Sequence, residues 1–117
     1  MNDGQLYDVA IVGGGLAGLS LSILLAKASY SVVLFEKEKY PFHKVCGEYI
    51  SLESWDFIAG LGLGLAGMDL PIIKKLIVSS PRGNKIEHQL QLGGFGISRY
   101  TLDNELSRIA KGSGVKI

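Results

Sequence analysis

The chain has 117 residues, of which 47% are hydrophobic and 20% charged, and a formal net charge of +1. This is the balance of one small globular domain with a core. It excludes a nucleic-acid surface built on basic excess, an internal disulfide, because Cys46 is the single cysteine, and a membrane span, because no apolar run approaches about 20 residues.

A lone cysteine suits a reducing compartment, so the expected location is cytoplasmic. The amino end, MNDGQLYD, is polar and acidic, unlike a signal or transit peptide. Tyr7 to Val12 then reads as a buried strand. From Leu16 to about Ala28 good helix formers run almost without a polar break, which predicts a helix buried on most of its surface. Ser31 to Phe35 reads as a second buried strand. Strand, glycine turn, helix and strand in so short a span form a βαβ unit, residues 1–36, with parallel strands.

The turn carries G-x-G-x-x-G at Gly13, Gly15 and Gly18. In a dinucleotide site the first glycine allows a sharp turn. The second lets backbone approach a pyrophosphate, and the third lets helix and strand pack closely. The helix N-terminus faces the anion with free N–H groups and its positive dipole end. Glu36 lies 23 residues beyond Gly13, at the end of the second strand. A carboxylate there accepts hydrogen bonds from both hydroxyls of an adenosine ribose and repels a 2′-phosphate, disfavouring NADP.

Glu36 to Ile50 reads as irregular, and Ser51 as the cap of a short helix through Ala59, with Leu52, Trp55 and Ile58 on one face. Trp55 suits a core position. A second glycine cluster, Gly62, Gly64 and Gly67, repeats the spacing. No strand precedes it, however, and Pro71 blocks a long helix after it. It reads as a flexible apolar loop. Ile72 to Ser79 and Lys85 to Leu92, joined by SPRGN, form an inserted antiparallel hairpin over residues 72–92. His88 shares its apolar face with Ile86 and Leu90 and reads as half-buried. Thr101 is the expected cap of a last helix with Leu102, Leu106 and Ile109 as its buried stripe, ended by Gly112 or Gly114. The closing GVKI reads as the start of another parallel strand, so residues 101–117 hold a helix and the first residues of that strand.

The fold class expected is therefore α/β: a Rossmann-like βαβ unit with an inserted antiparallel hairpin, apparently truncated. The glycines alone do not separate NAD from FAD. The irregular segment and hairpin before the next parallel strand suit an FAD domain with an inserted substrate-side element. Two histidines and one cysteine at these spacings make no metal site.

Three segments, DVAIVGGGLAGLSLSILLAKASYSVVLFEK, KVCGEYIS and GFGISRYTLDNELSRIAKGSGVKI, together resemble the amino-terminal part of the geranylgeranyl reductase family. These are flavoproteins with a fold like that of p-hydroxybenzoate hydroxylase. The resemblance implies FAD as cofactor and reduction of carbon–carbon double bonds in isoprenoid chains, with NAD(P)H as an external reductant. Related families hydroxylate aromatics or halogenate indoles. By the same resemblance Gly13, Gly15, Gly18 and Glu36 contact adenosine and pyrophosphate. Cys46 and Gly47 match the segment beside the flavin, and Arg99 matches an arginine that approaches the cofactor.

Cys46 has two readings: a small inert core residue, or a flavin-proximal thiol with a catalytic role, set beside His43 and Lys44. Ser29 departs from the family's glycine at the helix end, where a left-handed residue other than glycine costs on the order of 1 kcal/mol and the turn is open to rearrangement. The family's later Gly-Asp segment is absent from the chain, which therefore resembles the leading piece of a longer protein. The expected partner is a small apolar or aromatic substrate. A lipid substrate would place the protein at a membrane periphery. The fragment alone is expected to self-associate and to show no turnover. The rival readings are an NAD-binding dehydrogenase domain, a flavin monooxygenase or halogenase relative, and a non-catalytic fragment.

Overall fold

The computed structural model describes residues 4–117. The first three residues of the polar amino end, and the start of the 1–36 and 1–117 units, lie outside the described residues. In chain order the structure has β1 (Val9–Val12), α1 (Leu16–Lys27), β2 (Val32–Phe35), β3 (Tyr49–Ser51), α2 (Trp55–Gly60), β4 (Ile72–Ser79), β5 (Lys85–Gly96) and α3 (Arg99–Gly112). The architecture is Rossmann-like α/β. β1 and β2 pair in parallel, with Val9 opposite Val32 and Val12 opposite Phe35. Lys116 bridges to Val33 in the parallel sense, so the closing GVKI does enter the sheet beside β2.

The second sheet has the order β3-β5-β4, antiparallel throughout. β3 is a strand within a stretch whose sequence reads as irregular up to Ile50. β5 reaches Gly96, four residues past the expected end, because Gly94, Phe95 and Gly96 pair with β3. Backbone bonds between Ser80 and Asn84, and between Gly83 and Ser80, close the hairpin.

Between the two sheets lies one core, in which Leu19 and Ile23 of α1 join Val32 and Leu34 of β2, Phe95 of β5, and Leu102 and Leu106 of α3. α1 is buried only at Leu19, Ser22 and Ile23; Leu21 and Leu24 stay exposed, so the expectation of burial on most of its surface is corrected. The parallel pair is likewise only partly covered: Ala10, Val12 and Phe35 share one face and are exposed, Val12 to 88%, whereas Val33 on that face is buried.

Several local readings are corrected by hydrogen bonding. Ser51 caps a 3-10 turn over Leu52–Ser54 by accepting from the Glu53 amide, and the α-helix begins only at Trp55. α3 starts two residues before Thr101, because the Ser98 side chain accepts from the Thr101 amide. The apolar Gly60–Pro71 segment does not stand free: it seats Leu61, Leu63 and Leu65 in the core. His88 is exposed, with Ile86 beside it 72% exposed. Trp55 meets Phe95 edge-on at 5.0 Å between ring centres, a core contact. Ser29 takes the left-handed conformation itself, at φ 69, so the turn after α1 is kept without a glycine.

Candidate functional site

The glycine turn between β1 and α1 is built from three glycines with three separate causes. Gly13 has φ +102, a region that disfavours side chains. A Cβ on Gly18 would fall on the carbonyl oxygen of Gly13, so Gly18 sets how closely helix and strand pack. Gly15 has neither demand. Its φ is −80, and a Cβ there would meet only flexible side-chain ends, with Lys44 Nζ at 3.5 Å and Arg99 Nη2 at 3.9 Å. The space beside Gly15 is therefore flanked by two cationic side chains.

Gly15 is also the N-cap of α1, which has no side-chain cap and no acid in its first turn. Its first amides have no partner from a capping side chain, whereas α3 has Ser98. An anion on Gly15 would meet those amides, the dipole end of the helix and two cations.

Glu36 closes one side of the turn. Its Oε2 accepts from the Gly14 amide at 2.8 Å and its Oε1 from the Glu38 amide at 2.9 Å. The Glu38 amide is the largest cause holding its carboxyl below the ordinary value of 4.5; the Gly14 amide and Lys44 add to it against partial desolvation. A carboxylate has about four acceptor sites, so two bonded amides leave capacity for ribose hydroxyls. The Tyr40 hydroxyl donates to the Gly14 carbonyl. Burial, then the charges of Glu36 and Asp103, push Tyr40 up to about 12. A Cβ on Gly14 would collide with Tyr40 and Glu36, a packing demand that the G-x-G-x-x-G reading does not contain.

The other side is held by Asp103, 2% exposed on α3. Arg99 grips it with Nε at 2.7 Å from Oδ1 and Nη2 at 3.0 Å from Oδ2. Lys44 Nζ reaches the same Oδ2 at 3.3 Å. The Asp103 carboxylate raises the pKa of Arg99, with smaller contributions from Cys46. Cys46 is exposed, which corrects the inert-core reading, and its Sγ accepts from the Glu48 amide at 3.3 Å. Gly47 is exposed, with open space where a Cβ would stand. The structure thus brings Gly13, Gly15, Glu36 and Arg99 to one cradle and leaves Cys46 and Gly47 on an open loop at its rim. Lys44 and Asp103 are the members that sequence reasoning missed. The signal for Asp103 was the i,i+4 spacing from Arg99.

Among the described residues no group of histidine, cysteine or acidic side chains is arranged to hold a metal, and no helix is long and apolar enough to cross a membrane. Beside the N-terminal turn of α1 an apolar pocket of about 210 Å³ is lined by Leu16, Ser20, Ile50, Phe57, Leu102 and Leu106, among others.

Comparison with known proteins agrees with this fold. Residues 11–45 match the family described as NAD(P)-binding Rossmann-like domain. Conditioned medium factor receptor 1 of Dictyostelium discoideum is 27% identical over 99% of this chain, which spans 26% of that protein. The flavin-dependent brominase Bmp2, solved as a triple mutant, superposes with a TM-score of 0.78 and 27% identity over 95% of this chain and 29% of its own. A geranylgeranyl bacteriochlorophyll reductase-like protein from Thermoplasma acidophilum shares the fold, with a TM-score of 0.76 and 23% identity over 94% of this chain and 29% of its own. The chain thus spans between a quarter and a third of the length of these relatives.

Proposed function

We propose that this chain is the FAD-binding segment of a flavin-dependent oxidoreductase. The observation that carries the reading is Gly15, where neither backbone conformation nor internal packing needs a glycine and two cations face the vacant Cβ direction. A diphosphate approaching the helix N-terminus gives that glycine its reason. The antiparallel β3-β5-β4 sheet inserted before Lys116 joins the parallel sheet favours FAD over NAD, as does the 27% identity with a brominase described as flavin-dependent.

In this reading Gly13, Gly15 and Gly18 form the pyrophosphate turn, and Glu36 faces the adenosine ribose. Arg99, Cys46 and Gly47 lie toward the flavin half. When bound, FAD supplies hydride and electron transfer, with NAD(P)H as external reductant. This chain binds and orients it. The substrate class is a small apolar or aromatic molecule. Reduction of isoprenoid double bonds is the finer reading, supported by the Cys46-Gly47-Glu48 and Arg99-x-x-x-Asp103 segments. A cytoplasmic or membrane-peripheral location goes with it.

Titration of FAD, NAD and NADP against the purified chain, followed by flavin fluorescence and thermal shift, tests the proposal. FAD should bind most tightly and NADP least, because the Glu36 carboxylate repels a 2′-phosphate. Tighter binding of NAD than of FAD would overturn the flavin assignment.

A further inference from the structure

The residues that line the apolar pocket beside α1 are distinct from those of the glycine cradle. The pocket lies where α1, α3, β3 and the turn that leads into α2 meet. Leu102 and Leu106 of α3 and Ile58 of α2 are buried and form its floor. Leu16 of α1 and Ile50 of β3 make its sides, and Phe57, 53% exposed, stands at its rim. Among the described residues no charged side chain lines it, and its polar lining groups are the hydroxyls of Ser20 and Ser54. A water molecule settles in a pocket when it finds about two to four polar partners. Two hydroxyls on a hydrocarbon wall are at the bottom of that range, so water there is readily displaced.

We infer that this pocket is a ligand site in its own right, for one neutral aromatic ring of benzene or toluene size. Its volume of about 210 Å³ exceeds the roughly 150 Å³ of an apolar protein cavity that takes up benzene. It falls short of the roughly 300–1,000 Å³ that drug-sized ligands occupy, so a single ring fits and a helix face does not. The uncharged lining selects an uncharged ligand, because a charged group would give up its hydration there without a counter-ion. The Phe57 ring at the rim adds an aromatic contact that an aliphatic ligand of the same size lacks. The inference goes beyond the dinucleotide reading and does not depend on it: the ring binds whether or not the cradle holds a cofactor.

The test titrates toluene and benzoate, similar in shape and different in charge, into the full chain and follows the methyl groups by NMR. Toluene should shift the methyls of Leu16, Ile50, Leu102 and Leu106 until they saturate, and benzoate should leave them in place. Ser20→Leu puts a branched hydrocarbon into the space and should weaken toluene binding roughly tenfold or more. Ser20 is partly exposed on α1, and leucine is a better helix former than serine. Phe57→Ala removes the aromatic rim at a half-exposed position, and should weaken toluene several-fold; it keeps the test valid if Ser20→Leu fails to fold. Toluene affinity unchanged in a folded Ser20→Leu or in Phe57→Ala would overturn the assignment, as would equal binding of benzoate. Toluene shifts that never saturate, or that centre on the exposed hairpin residues Leu76, Val78 and Ile86, would overturn it too. Pocket shifts that follow protein concentration without toluene would give the space to a side chain of a second copy, and so overturn the ring.

Discussion

At the residue scale the glycines separate by what each would cost to replace. Gly18→Ala forces a methyl onto the Gly13 carbonyl and should destabilise by about 1–3 kcal/mol, the range for overpacking. Gly64→Ala meets nothing within 4 Å and should leave the midpoint of urea unfolding within experimental error of wild type. Gly15→Val is the informative change, because it disturbs only the ends of Lys44 and Arg99. It should keep the unfolding midpoint and abolish FAD binding. Glu36 gives a pH dependence with a fixed sign. Its folded pKa lies below the unfolded value of 4.5, so its contribution is fully present above pH 4.5 and is lost as pH falls through the folded value. The Tm of wild type should therefore fall more between pH 5 and pH 3 than that of Glu36→Gln; parallel curves would contradict the role of the Gly14 and Glu38 amides. Gly13, Gly15, Gly18 and Glu36 were legible because their spacing is local. The Arg99–Asp103 pair was legible only as an i,i+4 spacing, and Lys44 was not legible as its partner, since nothing in the sequence says that residues 44 and 103 meet.

At the element scale helices and strands were read from periodicity, and the misreadings fall where partners decide. Tyr49–Ser51 becomes β3 only because Gly94–Gly96 lies opposite it. The reading of α3 as starting at Thr101 rests on its hydroxyl, which would cap as well as that of Ser98. The structure uses Ser98, and this puts Arg99 in the first helical turn, one turn before Asp103. Ser98→Ala should cost about 0.5–2 kcal/mol, the usual value of a lost N-cap. It should also weaken FAD binding, because fraying of that turn moves Arg99 off Asp103. Chemical denaturation and FAD titration of the same variant check both; a stability loss with unchanged affinity would separate the cap from the site. α1 was read as buried on most of its surface because its apolar character is almost continuous, but only the face holding Leu19 and Ile23 is fully buried.

At the scale of the molecule the shape is long, 62 × 27 × 20 Å, with a radius of gyration of 17.6 Å against about 13 Å for a compact chain of this length. The accessible surface, 7860 Å², exceeds the roughly 6,200 Å² usual for this mass. Exposed apolar side chains of the β4–β5 hairpin, and Val12 and Phe35 of the parallel pair, contribute to it. Leu76, Val78 and Ile86 share one side of the hairpin, each 48% to 72% exposed. The other side carries the Lys75–Glu87–Lys85 ion pairs. The chain should therefore self-associate at micromolar concentration, and Ile86→Lys should shift sedimentation toward monomer. An association unchanged by Ile86→Lys would place the contact elsewhere, Val12 and Phe35 being next to test. The fold also gathers residues 13–18, 36–44 and 99–103 at a single cradle. Amide chemical-shift mapping by NMR during addition of FAD tests that most directly. The account predicts that the largest shifts fall together on Gly14, Gly15, Leu16, Lys44 and Arg99, with Gly62–Gly67 silent. Shifts centred on Gly62–Gly67, or none near Gly15 in the presence of bound FAD, would contradict it.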